Sequence, residues 1–215
     1  LIKRISTSAI LFAILILVFM YHYFLMYILI ITSVIAFLEF SQMLNKIKSK
    51  NNKYYKLIFN ILFLTYLFLF SSLFFIFSLS MDTKILIYLS LLICISSDIG
   101  GLIFGKIFKG PKLTKISPKK TISGSAGSFI LSFITVIFSS YFLVGNLFYS
   151  KLLVLAFFVS LTCQAGDIFF SYIKRKANVK DTGNILPGHG GVLDRIDGIL
   201  FGIPFGIMIA SIFYI

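Results

Sequence analysis

The chain has 215 residues, of which 59% are hydrophobic and only 13% are charged, which is more apolar surface than a soluble core of this size can bury. This composition excludes a soluble globular domain and indicates that lipid is the solvent for much of the surface. The formal net charge is +13, but the basic residues lie between apolar runs rather than on one soluble module, so no nucleic-acid partner is expected.

Seven apolar runs follow one another along the chain, each close to the length that a membrane-spanning helix needs. They cover 5–20, 23–44, 57–80, 85–105, 125–145, 151–173 and 192–214. The sequence therefore predicts an all-α, polytopic transmembrane helical bundle of about seven spans, in a single integral-membrane domain over 1–215.

The first run leads through the tight turn Tyr21-His22-Tyr23 into the second and lacks a small-residue cleavage site, so we expect no cleavable signal peptide. Because the sequence starts with Leu1, we expect a few residues to precede it. Cys94 and Cys163 lie inside apolar runs without partners at metal-ligand spacing. Both are predicted to be small buried hydrophobic residues rather than disulfide or zinc ligands.

The basic residues are clustered at the N-terminus and after spans two, four and six, whereas the opposite side receives only Lys84 and Lys151. With seven spans, every cluster lies on one side, which the positive-inside rule makes cytoplasmic. The N-terminus is therefore predicted inside and the C-terminus outside, with a bacterial plasma membrane as the default location. A break of the third run near Ser71-Ser72 would invert everything downstream, so the charge pattern argues against it.

Three of the seven acidic residues, Glu39, Asp98 and Asp167, lie within apolar spans, toward the inside end of each. An ionisable group at such a position is expensive and suggests a function. Asp82 falls in an outside turn and is expected to be solvated.

Asp194 and Asp197 are three residues apart at the start of span seven, so a helix places them on one face, with Arg195 between them pointing elsewhere. Together with Asp167 from span six, they form a set of three carboxylates that suits a hard divalent ion such as Mg²⁺. The alternative is that the pair only complements the dipole at the N-terminus of the helix.

Two polar loops on the inside are candidate phosphate sites. The glycine-rich turn around His189, with Gly190 and Gly191, precedes span seven, where backbone N–H groups and the helix dipole favour an anion. Lys174, Arg175 and Lys180 lie nearby in the sequence. The second loop offers hydroxyl groups and point charges from Ser117, Lys119, Lys120 and Thr121. Alternatively, the glycine-rich turn is an ordinary turn without a ligand. The second loop would then be basic only because it lies on the cytoplasmic side.

The stretch SYIKRKANVKDTGNILPGHGGVLDRID, from Ser171 to Asp197, resembles the signature of the phosphatidate cytidylyltransferase family, also called CDP-diacylglycerol synthases. The matching positions are Ser171, Lys174, Arg175, Lys180, Asp181, Gly183, Pro187, His189, Gly190, Gly191, Asp194, Arg195 and Asp197. The run from Ile116 to Thr121, and Asp98 followed by Gly105-Lys106, also resemble the family. The run from Lys3 to Ile5 and the Glu39-Phe40 pair fit the family more loosely. The resemblance thus spans nearly the whole chain, but it is strong only over about 98–215, which is where the signature and catalytic region is expected. The chain departs from the family pattern at Gly101-Leu102, Ser123, Gly127-Ser128 and Phe170.

The resemblance implies a nucleotidyltransferase that moves CMP from CTP to phosphatidate, forming CDP-diacylglycerol and pyrophosphate. It implies a multi-helix inner-membrane protein in contact with membrane lipid, dependent on Mg²⁺ and assembled as a homodimer, with its active site on the cytoplasmic face. The implied catalytic residues are Lys174, Arg175, Lys180, Asp181, His189 and Arg195. The implied substrate-binding residues are Asp98, Ser117, Lys119, Lys120, Thr121, Ser171, Gly190 and Gly191, and the implied metal ligands are Asp167, Asp194 and Asp197.

Three other functions were compared with the sequence, and the second and third of them stay open. A CDP-alcohol phosphotransferase would need a longer run of spaced aspartates that begins Asp-Gly, and this chain has no such run. A transporter or channel would place Asp98 and Asp167 on an ion path with polar residues through the whole membrane depth. The third is an inactive member of the same family that serves as a scaffold.

Overall fold

The structure, a computed structural model, describes 2–47, 53–114, 116–117, 120–143, 149–186 and 190–214; the side chains of 2–9, 11, 142–143, 149 and 214 are not described. The helices in these ranges are α1 (Ile2–Met20), α2 (His22–Lys46), α3 (Lys53–Phe77), α4 (Met81–Phe108), α5 (Ile122–Leu143), α6 (Tyr149–Lys176) and α7 (Leu193–Tyr214). Within the described ranges the only β-type pairing is two isolated bridges, Lys112 with Thr121 and Leu186 with Gly190. The all-α prediction is confirmed.

Six helices, α2 to α7, are long and apolar enough to cross a membrane within the described part of the chain. The chain is therefore an integral membrane protein, as predicted. The helix α1 forms where the first span was expected, although its role as a span stays a prediction. It meets α2 at the single residue Tyr21, which confirms the tight turn.

The predicted spans agree with the helices, which extend a little further at the polar ends. α3 runs unbroken through Ser71-Ser72, as the charge pattern required. α4 and α6 continue about one turn beyond their predicted C-terminal ends, so Lys106 and Lys174 lie in the last helical turns rather than in loops. Basic side chains at these ends also suit the negative end of the helix dipole.

The chain divides into two compact units. Unit 1 comprises Leu1–Leu79 and Ile173–Ile196, and unit 2 comprises Ser80–Tyr172 and Asp197–Ile215. α6 and α7 therefore each contribute residues to both units. The single integral-membrane domain expected over 1–215 stays a prediction.

In unit 1, α2 packs against α3 through aromatic and small polar contacts. Phe40 and Phe63 stack with their ring centroids 4.0 Å apart, and the hydroxyl groups of Ser33 and Ser71 lie 2.8 Å apart. An interhelical hydroxyl pair of this kind satisfies two polar groups that lipid cannot hydrogen-bond.

In unit 2, small residues let the helices approach closely. A Cβ atom added at Gly100 of α4 would collide with the backbone of Gly127 of α5. Along α7, Gly198, Gly202 and Gly206 recur every four residues, and added Cβ atoms there would meet side chains of α4 and α6, including Cys94 and Cys163. Small residues at such spacing are typical of membrane helix interfaces, where van der Waals packing drives association.

Both cysteines are buried, free thiols in the core of unit 2, which confirms their predicted packing role.

Candidate active site

The loop 177–192, here called the signature loop, connects α6 to α7 within unit 1. α6 ends in a Schellman motif, because Val179 N donates to Lys174 O at 3.0 Å, Asn178 N donates to Arg175 O at 3.1 Å, and Asn178 has a φ of 53°. Further on, Leu186 N donates to Gly190 O at 3.0 Å, and Gly190 has a φ of 83°, a conformation that favours glycine. Backbone hydrogen bonds therefore fix the start of the loop and its second half.

Asp194, in the first turn of α7, ties this loop to α6. Its Oδ1 accepts from Lys174 Nζ at 2.8 Å, and its Oδ2 accepts from Thr182 N at 2.8 Å and Gly191 N at 3.1 Å. The side chains of Lys174 and Asp194 are only 12% and 8% exposed, so this ion pair is largely screened from water. Asp194 thus holds the backbone of the signature loop in place. Neither of the two interpretations of the sequence, metal ligation or stabilisation of the helix dipole, predicted this role.

Glu39 of α2 supplies a second carboxylate to the same loop. Its residue is 2% exposed, and it accepts from Val192 N at 3.0 Å, Leu193 N at 2.8 Å and the Thr182 hydroxyl at 2.8 Å. Val192 and Leu193 provide N–H groups at the start of α7, which have no partner inside the helix. The carboxylate of Glu39 therefore occupies the place at the helix N-terminus where the sequence suggested a phosphate.

Two glycines make room for Glu39. A Cβ atom added at Gly183 would lie 2.5 Å from Glu39 Oε1, and one added at Gly191 would lie 2.5 Å from Glu39 Oε2 and collide with the Thr182 hydroxyl. The N–H of Gly191 is already bonded to Asp194. These contacts explain both glycines without a ligand, and substrate binding by Gly190 and Gly191 stays a prediction.

The remaining predicted catalytic side chains of unit 1 lie on its surface. Arg175 in the last turn of α6, Lys180 and Asp181 in the signature loop, and Arg195 in the first turn of α7 are all exposed. His189 lies outside the described residues. Three cations, one in the loop and one in each flanking helical turn, are therefore exposed around a backbone that the carboxylates of Asp194 and Glu39 hold in place.

In unit 2, Asp167 of α6 is the centre of a small polar cluster. Its Oδ2 lies 2.5 Å from Lys120 Nζ, and its Oδ1 accepts a longer bond of 3.4 Å from the Ser171 hydroxyl. Lys120 precedes α5, so the ion pair joins the basic loop before α5 to α6. The structure thus brings together three of the predicted site residues, Lys120, Asp167 and Ser171.

Asp197 of α7 lies next to the part of α6 that carries Gly166 and Asp167. A Cβ atom added at Gly166 would be 2.6 Å from the carbonyl oxygen of Asp197, so the two helices nearly touch beside Asp167. Asp197 is 7% exposed and accepts from Gly198 N at 2.9 Å. Asp98 of α4 is exposed, and its Oδ1 lies 3.8 Å from Cys163 Sγ, a weak contact.

The basic loop before α5 is held by its own polar groups. Thr121 caps α5, because its hydroxyl accepts from Gly124 N at 3.1 Å. Ser117 O accepts from Lys120 N at 3.0 Å, and Ser117 N donates to the Thr114 hydroxyl at 3.2 Å. Lys119 lies outside the described residues. The roles of Ser117 and Thr121 visible here are structural, and their binding of substrate stays a prediction.

The carboxylate oxygens of Asp167, Asp194 and Asp197 suit a magnesium ion. The contacts of Asp194, however, differ from those of Asp167 and Asp197. Within the described ranges, no three His, Cys, Asp or Glu side chains are grouped closely enough to hold a metal ion. Asp167 and Asp197 are on adjoining stretches of α6 and α7 and offer carboxylate oxygens, which Mg²⁺ prefers. Both oxygens of Asp194 already accept hydrogen bonds from the loop and from Lys174.

Glu39 and Thr182 were not among the site residues predicted from the sequence. For Glu39, a signal was present, since a carboxylate within an apolar span suggests a function. The sequence gave no sign of its partners, which lie 143 to 154 residues away. Thr182 had no signal of its own in a polar loop.

The sequence profile of the Cytidylyltransferase family matches residues 2–213, nearly the whole chain. The chain belongs to the Cytidylyltransferase family. The resemblance predicted over nearly the whole chain is thereby confirmed, and the matched range includes α2, which carries Glu39.

Individual relatives agree with the family. A protein of Rickettsia felis named phosphatidate cytidylyltransferase is 43% identical over 126 residues, covering 55% of this chain and 56% of the relative. Proteins of the same name are 46% identical in Rickettsia bellii, over 55% of this chain and 54% of the relative, and 42% identical in Mycobacterium leprae, over 49% and 34%. The chain thus spans little more than half the length of the Rickettsia relatives that it matches.

Proposed function

We propose that this chain is a phosphatidate cytidylyltransferase that transfers CMP from CTP to phosphatidate, forming CDP-diacylglycerol and pyrophosphate. The observation that carries the proposal is the match of the Cytidylyltransferase family over 2–213. The names of the Rickettsia and Mycobacterium relatives supply the substrate.

The proposed reaction is a displacement at the α-phosphorus of CTP. A phosphate oxygen of phosphatidate forms the new P–O bond, the bond between the α-phosphorus and the oxygen bridging to the β-phosphate breaks, and pyrophosphate leaves with that electron pair. The nucleophile is already anionic, so no strong general base is needed. The main barrier is the repulsion between two anions, which favours catalysis by fixed positive charge.

The cations in and beside the signature loop suit this task. Lys180 in the loop, and Arg175 and Arg195 in the helical turns that flank it, are exposed next to a backbone fixed by Asp194 and Glu39, so their charges can meet a triphosphate at little cost in reorganisation. The backbone N–H groups of Thr182, Gly191, Val192 and Leu193 are engaged. We therefore assign the triphosphate to side chains rather than to the N-terminus of α7.

Magnesium is part of the proposal. When bound, Mg²⁺ would neutralise triphosphate charge and stabilise the pyrophosphate leaving group. Asp167 and Asp197 are the proposed principal ligands because they lie on adjoining parts of α6 and α7. For Asp194, the third candidate, Oδ2 accepts two hydrogen bonds from the loop, whereas Oδ1 accepts one from Lys174 and keeps a lone pair that could bind the ion. Lys120, paired with Asp167, is a candidate for phosphate binding in unit 2.

The membrane setting of the proposal follows from charge and composition. The acyl chains of phosphatidate would stay in the bilayer, while CTP reaches the protein from the cytoplasm, on the side of the basic clusters. We propose the bacterial inner membrane as the location and a homodimer as the assembly, the latter on the family resemblance alone.

The proposal is tested with purified full-length protein in detergent micelles containing phosphatidate. CDP-diacylglycerol is measured after addition of CTP and Mg²⁺. Wild-type protein should form the product, and Asp197→Asn should lower the rate by on the order of 100-fold or more. Asp82→Asn, a matched change in the first turn of α4, should leave the rate unchanged. If folded wild-type protein forms no product with several phosphatidates and divalent ions, the transferase proposal is wrong. That result would favour an inactive family member or a transporter.

A further inference from the structure

The carboxylate of Glu39 contacts the signature loop at three points and belongs to a distant part of the chain. It accepts from Thr182 in the middle of the loop and from Val192 and Leu193 at its end. All of these residues, with α2, belong to unit 1. Within the described part of the chain, the donors to this nearly inaccessible carboxylate are two backbone N–H groups and one hydroxyl group.

We infer that Glu39 is a positioning residue for cytidylyl transfer: as an internal anion at the N-terminus of α7, it fixes the backbone from which Lys180 and Arg195 project. The inference rests on the proposed function for its catalytic part. Its structural part stands on the Glu39 contacts alone. Glu39 is not proposed to touch either substrate.

The chemistry of the contact requires a carboxylate. Each oxygen of Glu39 accepts only, and the partners are two N–H groups and one hydroxyl. A glutamine in either orientation turns its NH₂ group toward one of the two N–H donors, so at least one buried donor loses its acceptor. Aspartate keeps the charge but is one methylene shorter, so it cannot reach the same donors without movement of the backbone.

The glycines provide an independent check of the same contact. A Cβ atom at Gly183 would lie 2.5 Å from Glu39 Oε1, with the Cδ and Cγ atoms of Glu39 at 3.1 and 3.4 Å as its next neighbours. Gly183 is not among the residues with positive φ, and the three atoms nearest to an added Cβ all belong to the Glu39 side chain. Gly183→Ala should therefore displace Glu39, and removal of the Glu39 side chain should make the same change harmless.

The first experiment measures backbone hydrogen exchange of the full-length protein in detergent, together with kcat and KM for CTP. In Glu39→Gln, exchange at one or both of Val192 and Leu193 should accelerate by about tenfold or more, because a lost hydrogen bond to a charged group is worth at least that factor. The kcat should fall by on the order of 100-fold, as displaced catalytic groups lose their alignment. The KM for CTP should change by less than about threefold, since the exposed cations remain. Glu39→Asp should lie between Glu39→Gln and wild type.

The second experiment is a double-mutant cycle between positions 39 and 183. Gly183→Ala should lower kcat strongly in the wild-type background and have little further effect in Glu39→Ala. Asn184→Ala, at the neighbouring exposed position, is the control and should leave kcat unchanged.

Several outcomes would overturn the inference. Unchanged exchange at Val192 and Leu193 in Glu39→Gln would show that the contact does not hold the loop. Wild-type kcat in Glu39→Gln, additive effects of Gly183→Ala and Glu39→Ala, or a general loss of thermal stability with no local change in exchange would show that Glu39 does not position the site. If wild-type protein transfers no CMP, the proposed function fails, while exchange and thermal stability still decide whether Glu39 holds the loop.

Discussion

Asp194 and Glu39 divide the donors of the signature loop between them. Asp194 takes the N–H groups of Thr182 and Gly191, and Glu39 takes those of Val192 and Leu193. Two buried carboxylates thus satisfy four backbone groups that would otherwise be costly in a water-poor site. Lys174 balances the charge of Asp194, which makes that ion pair part of the loop's architecture.

At the residue scale, the Lys174–Asp194 pair gives a stability prediction. Lys174→Met leaves a largely buried carboxylate without its cation, and we expect a loss of about 3 kcal/mol in folding free energy. The loss appears as a lower thermal unfolding midpoint in detergent. Lys106→Met, at an exposed position in the last turn of α4, should change stability by less than about 0.5 kcal/mol. Equal stability of the two variants would contradict the structural role of the pair.

At the scale of helices, α7 combines two functions along its length. Its first turn carries Asp194, which holds the signature loop, and its later turns carry Gly198, Gly202 and Gly206 against the cysteine-bearing faces of α4 and α6. Pro204 lies inside the helix without ending it. Close packing at these three glycines fixes the position of α7. Because Asp197 directly precedes Gly198, the same packing holds the proposed metal ligand in place.

The packing of α7 gives a second prediction. A side chain at Gly202 would collide with Cys94 Sγ, so Gly202→Val should destabilise the protein by about 1–3 kcal/mol through overpacking. Met208→Val, on the exposed face of the same helix, is the control and should be nearly neutral. Adding Cys94→Ala to Gly202→Val should restore part of the lost stability, as measured by thermal unfolding. No restoration would place the collision elsewhere.

At the scale of the whole molecule, the sequence predicted what depends on local composition. Apolar runs located the helices, and the charge pattern correctly kept α3 unbroken at Ser71-Ser72. The pairing of Glu39 with Val192 and of Lys120 with Asp167 was not predictable, because neither residue type nor spacing specifies which distant groups meet. The family signature identified Asp194, Lys174 and Gly191, but not the hydrogen bonds that join them, which only the folded loop reveals.

The predicted membrane orientation has its own test. With the N-terminus inside, the start of α4 lies outside and the loop before α5 lies inside. Met81→Cys should react with a membrane-impermeant maleimide in intact bacterial cells, whereas Lys112→Cys should react only after permeabilisation. Both positions are exposed, and the native Cys94 and Cys163 are buried. The reverse labelling pattern would invert the proposed topology and move the site away from cytoplasmic CTP.

Transfer of CMP from CTP to phosphatidate by this chain can be followed through the phosphorus atoms of CTP. Purified protein with phosphatidate and Mg²⁺ is given CTP labelled with ³²P at either the α or the γ position. We expect the α label to enter the lipid and the γ label to appear in pyrophosphate, in equal amounts. Label from the γ position in the lipid, or no transfer of the α label by folded protein, would show that the chain does not catalyse this reaction.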